Sequence, residues 1–292
     1  MAKILKGAVV RDSRLDELKE KISRLHRRPV LAIIQIGDRH DSNAYIREKK
    51  IFADKVGALV RHIRFSENEK DAAIIDAIKE LNFDKSINGV IVQLPVPEKL
   101  PVYKIIDSID PSKDVDGLTS FNLAKMLRND DVVFTPAVAR GIISLLQYYK
   151  VPIRGSKVVV IGRSVLVGKP TALVMLKQDA TVTVCHKGTK NLSRITRAAD
   201  IIISAAGKPQ LIGKRHVSRG QVVIDVGINA VSGKLEDEIK GRRISGDVDF
   251  TAVSNIVRAI SPVPGGVGPM TVLSLFENLY ESALLTDALG VK

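Results

Sequence analysis

Short apolar runs alternate with stretches of helical period along almost the whole chain. Runs at 30–36, 60–65 and 89–93 are each followed by a segment with apolar residues at three- and four-residue spacing, at 44–56, 71–81 and 102–109. An earlier, charged stretch at 15–25 also reads as a helix. After a helix expected over 137–149, Val151-Pro152-Ile153-Arg154-Gly155 breaks the period. The alternation then resumes, with strands expected at 157–161, 181–184, 201–204 and 222–226 and helices at 168–177 and 191–198. Strand alternating with helix predicts an α/β fold on parallel, doubly wound sheets, since parallel neighbours need a crossover connection. The break near the 137–149 helix divides the chain into a first domain, 1–140, and a Rossmann-like second domain, 141–269. A last helix, 270–288, has no further strand with which to extend the second sheet. It is expected to return to the first domain, so that 270–292 count with it.

Composition narrows the class. The 292 residues are 45% apolar and 26% charged, which is ordinary globular usage. No apolar run approaches the ~20 residues of a membrane span, so no membrane association is expected. The amino terminus carries lysines in place of a long apolar stretch, and no signal peptide is expected. One cysteine, Cys185, allows neither an internal disulfide nor a zinc site of thiolates, and a cytoplasmic location is the simplest reading. The net charge of +13 raises the question of nucleic acid. Lys and Arg are spread along the chain, however, and aromatics at 4% are too few for a stacking platform, so no nucleic-acid binding is expected. A small polyanionic substrate and a phosphorylated cofactor account for part of the charge.

The residues after the expected 157–161 strand are Gly162-Arg163-Ser164-Val165-Leu166-Val167-Gly168-Lys169-Pro170, leading into a helix. A strand, a glycine turn and a helix start form an anion site, because backbone N–H groups and the helix dipole point at a phosphate. The middle glycine of G-x-G-x-x-G is absent, which sets the pyrophosphate farther from the turn. At the end of the next strand, where NAD-binding folds place an acidic residue for the ribose 2′-hydroxyl, stand Cys185-His186-Lys187. Lys187 and Arg163 can pair with a 2′-phosphate that a carboxylate would repel, so the expected cofactor is NADP. Ser204-Ala205-Ala206-Gly207-Lys208-Pro209 and Asp225-Val226-Gly227-Ile228-Asn229 follow two further strands, and their small residues let a cofactor lie against the backbone. The cofactor set is therefore Gly162, Arg163, Ser164, Val167, Gly168, His186, Lys187, Ala206, Gly207, Gly227 and Ile228.

Four segments carry candidate chemistry. Tyr45 and Lys49 share one helical face. Gly89-Val90-Ile91-Val92-Gln93-Leu94-Pro95-Val96-Pro97 delivers Gln93 to a strand end stiffened by prolines. Lys113-Asp114-Val115-Asp116-Gly117 presents two carboxylates beside a glycine, and Pro262 to Thr271, PVPGGVGPMT, is a rigid loop suited to lying against a ligand, with Pro264, Gly265 and Gly266 at its centre.

In this order, Tyr45 with Lys49, VQLPVP, KDVDG, GRSVLVGKP, DVGIN and PVPGGVGPMT resemble the bifunctional methylenetetrahydrofolate dehydrogenase/cyclohydrolases. The resemblance implies NADP-dependent oxidation of 5,10-methylenetetrahydrofolate to the methenyl form and its hydrolysis to 10-formyltetrahydrofolate. By the same resemblance Lys49 is the catalytic lysine, Gln93 holds and tunes its amine, and Asp116 grips the N–H groups of the pterin. Tyr45 stacks on or hydrogen-bonds the folate, and Pro264, Gly265 and Gly266 are substrate-binding. The first domain becomes the folate-binding catalytic domain and the second the NADP-binding one. Partners implied are tetrahydrofolate one-carbon derivatives, with or without a polyglutamate tail, and a second copy of the chain in a homodimer; no metal is implied. The chain departs from the family pattern at Lys6, at Asn88, and at Val138-Ala139, where the family has Thr-Pro. Thr135-Pro136 offers the same helix-starting pair three residues earlier. A shikimate-type NADP dehydrogenase shares the architecture without accounting for KDVDG or PVPGGVGPMT. A basic non-catalytic nucleic-acid-binding protein is the alternative from another class.

Overall fold

A computed structural model describes residues 1–128, 134–231 and 243–288. The chain divides into two compact units, one of Met1–Asp12 and Val138–Thr271, the other of Ser13–Ala137 and Val272–Lys292. The helices are α1 (Gly7–Ser23), α2 (His40–Val56), α3 (Asp71–Phe83), α4 (Val102–Ile106), α5 (Ser120–Arg128), α6 (Ala137–Tyr148), α7 (Gly168–Lys177), α8 (Leu192–Arg197), α9 (Phe250–Val253) and α10 (Val267–Ala288). The strands are β1 (Lys3–Ile4), β2 (Val30–Ile36), β3 (Leu59–Phe65), β4 (Gly89–Val92), β5 (Lys157–Ile161), β6 (Thr181–Cys185), β7 (Ile201–Ser204), β8 (Val222–Asp225), β9 (Asn229–Val231), β10 (Arg243–Ser245) and β11 (Ala259–Ile260).

The unit containing Ser13–Ala137 is built on a parallel sheet in the order β3-β2-β4. β2 is central, and Leu31, Ala32, Ile33 and Ile34 have no exposed surface, which is why its sequence is a continuous apolar run and does not alternate. β3 lies at the edge and carries exposed Arg61 and Arg64, which bond to Asp84 and to Gln35 and Asn43. β2 leads through α2 to β3 on one side, and β4 pairs on the other, so the sheet reverses direction between β2 and β4. The carboxyl ends of these two strands therefore flank a crevice of the kind in which open α/β sheets hold ligands. The KDVDG segment runs beside β4: Val90 and Asp114 form a parallel bridge, and the Val90 N–H donates to the Lys113 carbonyl at 2.8 Å. The later part of α10 completes this unit. Asn278 donates to the carbonyls of Val115 (2.8 Å) and Thr135 (3.0 Å), and the Phe52 and Phe276 rings lie 5.3 Å apart. Gly89 makes this closure possible, for a Cβ there would come within 2.8 Å of both Leu279 and Val115.

The other unit carries an all-parallel sheet, β1-β11-β8-β7-β5-β6 among the described residues. Here the direction of winding reverses at β5, with β6 on one side and β7 on the other, and the loops after β5 and β7 face a second such crevice. Residues 1–12 lie with this unit because β1 pairs in parallel with β11. The expected return of the last helix is seen in the membership of Val272–Lys292 in the other unit.

The sequence pattern sets most boundaries to within a few residues. The helix expected at 15–25 instead runs Gly7–Ser23, and that expected at 44–56 begins at His40, because the polar first turn of α2, His40-Asp41-Ser42-Asn43, carries no apolar period. α6 starts at Ala137, directly after Thr135-Pro136, and the Ala137 N–H donates to the Asp116 carbonyl at 3.2 Å. Among the described residues no helix is long and apolar enough to cross a membrane.

Candidate active site

Three of the expected chemistry-bearing side chains meet in the unit containing Ser13–Ala137. α2 carries Tyr45 and, one turn later, Lys49, both half-buried. The Lys49 ammonium donates to Gln93 Oε1 at 2.8 Å. Gln93 is buried just beyond β4, held by its own N–H to the Ile34 carbonyl (2.8 Å), while its Nε2 donates to the Leu94 carbonyl at 2.8 Å. Both ends of the amide are thereby assigned: a carbonyl acceptor fixes Nε2, and an ammonium, which only donates, requires Oε1 on the other side. Burial lowers the Lys49 pKa from 10.5 to about 8, with the Asp116 charge pulling the other way.

Asp116 is delivered by register. Asp114 bridges Val90, so Asp116 lies two residues further along, beside the end of β4 where Gln93 emerges. Burial raises the Asp116 carboxyl to about 6, opposed by Lys49 and reinforced by Asp114. The two carboxylates of the turn have separate tasks. Asp114, 1% exposed, accepts from the N–H groups of Leu118 (3.1 Å) and Thr119 (2.8 Å) and from Asn122 Nδ2 (2.9 Å), so it braces the turn internally. Lys113 caps the carboxyl end of α3 through the carbonyls of Leu81 and Asp84 (2.9 and 2.8 Å). Gly117 adopts φ +70°, and a Cβ there would approach the Phe134 carbonyl to 2.9 Å.

The dinucleotide-loop residues gather in the other unit at the carboxyl ends of β5, β6, β7 and β8. Gly162 has φ +119°, and a Cβ on it would sit 2.1 Å from the Ala205 carbonyl, so glycine is required where the loops after β5 and β7 touch. Gly168 packs as closely, 2.3 Å from the Gly162 carbonyl for the same added atom. At the start of α7 the Ser164 hydroxyl accepts from the N–H groups of Val167 (3.2 Å) and Gly168 (3.3 Å). The helix dipole is thus met first by Ser164, a point the loop's composition did not reveal. Arg163 and Lys187 are exposed, and His186 is drawn into a turn: its N–H donates to Thr189 Oγ1 (2.9 Å) and its Nδ1 accepts from the Gly188 N–H (3.1 Å). Ala206, Gly207 and Ile228 are exposed, whereas Gly227 is buried. This arrangement fits a dinucleotide: glycine-only backbone approaches, exposed small residues, and cations at the ends of β5 and β6.

Pro264, Gly265 and Gly266 belong to this unit too, whereas Lys49, Gln93 and Asp116 belong to the other. Pro264 is exposed, Gly265 takes φ +94° with open space where a Cβ would go, and buried Gly266 packs on Gly7, whose added Cβ would fall 1.8 Å from the Gly266 carbonyl. One residue that sequence reading passed over is Asp247, wholly buried and bonded to the loops after β7 and β8. Its signal was Gly246-Asp247-Val248-Asp249, a glycine and acidic pattern like that of KDVDG.

A family model described as the catalytic domain of tetrahydrofolate dehydrogenase/cyclohydrolase matches residues 5–116, and the model of its NAD(P)-binding domain matches residues 136–287. The bifunctional protein FolD of Lactobacillus acidophilus is 45% identical over 280 residues, 95% of each chain. The bifunctional methylenetetrahydrofolate dehydrogenase/cyclohydrolase FolD of Campylobacter jejuni superposes with a TM-score of 0.91 at 38% identity, covering 98% of this chain and 99% of that one. The Trypanosoma brucei enzyme, solved with NADP and an inhibitor, superposes with a TM-score of 0.93 at 33% identity over 98% of each chain. Shikimate dehydrogenase of Thermus thermophilus, 14% identical with a TM-score of 0.50 over 90% of this chain, shares the fold alone.

Proposed function

This chain belongs to the tetrahydrofolate dehydrogenase/cyclohydrolase family, and from that premise we propose that Lys49, Gln93 and Asp116 carry its chemistry, with Tyr45 against the folate. The protein oxidises 5,10-methylenetetrahydrofolate to the methenyl form with NADP and hydrolyses the product to 10-formyltetrahydrofolate. The observation that carries the assignment of roles is the Lys49–Gln93 hydrogen bond beside Asp116, with the lysine pKa brought down to about 8 and the aspartate brought up to about 6.

Oxidation moves a hydride from the one-carbon unit of the folate, a transfer for which bound NADP supplies the acceptor. The chain's own contribution to that step is orientation. Asp116 is mostly a carboxylate at pH 7 and accepts from the pterin N–H groups. Hydrolysis adds water to the methenyl carbon and releases one proton overall. Lys49, roughly one-tenth neutral at pH 7 from a pKa of about 8, takes that proton, whereas an ordinary lysine would be neutral only ~0.03% of the time. Gln93 holds the amine in place through both protonation states, since each has an N–H to give.

On this reading the unit of Ser13–Ala137 binds folate, and the residues from Gly162 to Ile228 named above bind NADP. Exposed Arg163 and Lys187 meet the 2′-phosphate, and Pro264, Gly265 and Gly266 contact substrate. The protein works in the cytoplasm and ignores nucleic acid, which a gel shift at physiological salt checks. It forms a homodimer through the unit with the six-stranded sheet. Support comes from the edge strand β6, whose Val184 is 40% exposed. Absorbance of methenyltetrahydrofolate under acid quench, formed from methylenetetrahydrofolate with NADP, with NAD and with neither, tests the dehydrogenase. Lys49→Ala tests the cyclohydrolase, and full methenyl hydrolysis by that variant would remove Lys49 from the mechanism.

A further inference from the structure

Asp247 has no exposed surface, and among the described residues its carboxylate has no cation partner. It is held by neutral donors. Oδ2 accepts from the Ala206 N–H (2.6 Å), the Gly207 N–H (3.2 Å) and the Ser204 hydroxyl (3.2 Å). Oδ1 accepts from the Lys208 N–H (2.9 Å) and from Asn229 Nδ2 (3.0 Å). Three consecutive amides, 206–208, thus converge on one buried anion, the concave arrangement that backbone uses to bind phosphates or carboxylates. Here the protein fills that concavity with its own side chain.

The neighbouring glycines show how closely the group is fitted. A Cβ on Gly227 would lie 2.2 Å from Asp247 Oδ1, and a Cβ on Gly246 would lie 1.9 Å from Asp225 Oδ2. Asp225 accepts from the Asp247 N–H at 3.0 Å and from the Gly227 N–H at 3.0 Å. One carboxylate therefore joins the loop after β7 to the loop after β8. Those loops carry Ala206, Gly207, Gly227 and Ile228, and Asp247 faces inward from behind them.

We propose that Asp247 is a positioning residue for the dinucleotide, its carboxylate holding the 206–208 amides and Asn229 in the arrangement that presents Gly207 and Ile228 to NADP. The proposal rests on the assignment of those two loops to the cofactor. Asp247→Asn keeps the shape but turns one oxygen into an NH2 group. Whichever way that amide faces, a donor meets at least two donors, so the loops lose their hub while the sheet behind them keeps its ladder.

The test is NADPH affinity by fluorescence titration, together with KM for NADP in the dehydrogenase reaction and the rate of methenyltetrahydrofolate hydrolysis, which uses no dinucleotide. Asp247→Asn is expected to raise both the NADPH dissociation constant and KM for NADP at least tenfold, with hydrolysis within twofold of wild type. The double variant Asp247→Asn with Asn229→Asp restores one acceptor and donor pair in reverse and is expected to recover part of the affinity; a role in folding alone predicts instead that hydrolysis falls together with NADPH affinity in Asp247→Asn. Unchanged affinity in Asp247→Asn overturns the proposal. If that variant loses hydrolysis as well, Asn229→Ala, which removes a single donor, decides: a threefold or greater rise in the dissociation constant supports the hub, and none overturns it. Hydrogen exchange of the wild-type protein with and without NADPH separates the underlying assignment. If segments 204–210 and 226–229 gain no protection, those loops do not bind the cofactor and the assignment itself fails. If they are protected while Asp247→Asn binds normally, only the role of Asp247 falls.

Discussion

Gln93→Glu is the sharpest single perturbation of the proposed chemistry, because it changes charge while keeping shape. The new carboxylate oxygen stands where Oε1 stands, 2.8 Å from the Lys49 ammonium. Two unit charges at that distance attract by about 3–6 kcal/mol for an effective dielectric of 20 to 40. At 1.36 kcal/mol per pKa unit, even the lower figure raises the Lys49 pKa by about 2 units, from about 8 to about 10. The neutral fraction at pH 7 then falls about 100-fold, and hydrolysis of methenyltetrahydrofolate falls with it. The assay is the decay of methenyl absorbance between pH 6 and 9.5. In the wild type the rate rises through about pH 8 and levels off above it, because Lys49 works deprotonated. In Gln93→Glu the rising limb moves beyond the measured range. The dehydrogenase step, in which the hydride leaves the folate directly, suffers less. A Gln93→Glu enzyme that hydrolyses at wild-type rate with its limb still near pH 8 would refute the role assigned to the Lys49–Gln93 pair.

Other expectations follow from the same geometry. Asp116, raised to about 6 by burial, is protonated as pH falls through that value and then accepts poorly. The kcat/KM for methylenetetrahydrofolate is expected to fall below pH 6 in the wild type, and Asp116→Asn to remove that limb along with most folate affinity; a limb that survives the substitution belongs to another group. Arg163→Ala is expected to raise KM for NADP several-fold more than KM for NAD, and equal effects would deny it the 2′-phosphate. Gly162→Ala forces a Cβ toward the Ala205 carbonyl at φ +119° and is expected to cost about 2 kcal/mol or more, seen as a fall of several degrees in Tm together with weaker NADPH binding. A Tm equal to that of the wild type would show that the two loops have room to separate.

The alternation of apolar runs and helical periods was enough to read two parallel α/β units, since a strand buried on both faces, such as β2, shows a nearly continuous apolar run, here Val30 to Ile34. Elements without such a period were not legible. β1 and β11 have two residues each and are defined by pairing alone, β11 with β8 and β1 with β11. The same limit explains why residues 1–12 were expected with the first domain. The two carboxylates of KDVDG also looked equivalent. Asp114 turns inward to three donors and Asp116 lies by the end of β4, a division made by the bridge to Val90 and by the backbone that follows.

The motifs by themselves determined the family resemblance, the reaction it implies, and the proposal of Lys49, Gln93 and Asp116 for its chemistry, because the motifs follow one another along the chain in the order the family has. Tertiary structure alone decided what those residues are electrically. A lysine on a helix face has a pKa near 10.5 until burial removes its water, and here that takes a helix, a strand end and a turn supplied by separate parts of the chain. Asp247 makes the same point. A carboxylate beside a glycine reads as a turn in sequence, and it becomes a hub only where folding brings donors of two loops, those after β7 and β8, within 3.2 Å of it, a convergence that no local spacing encodes.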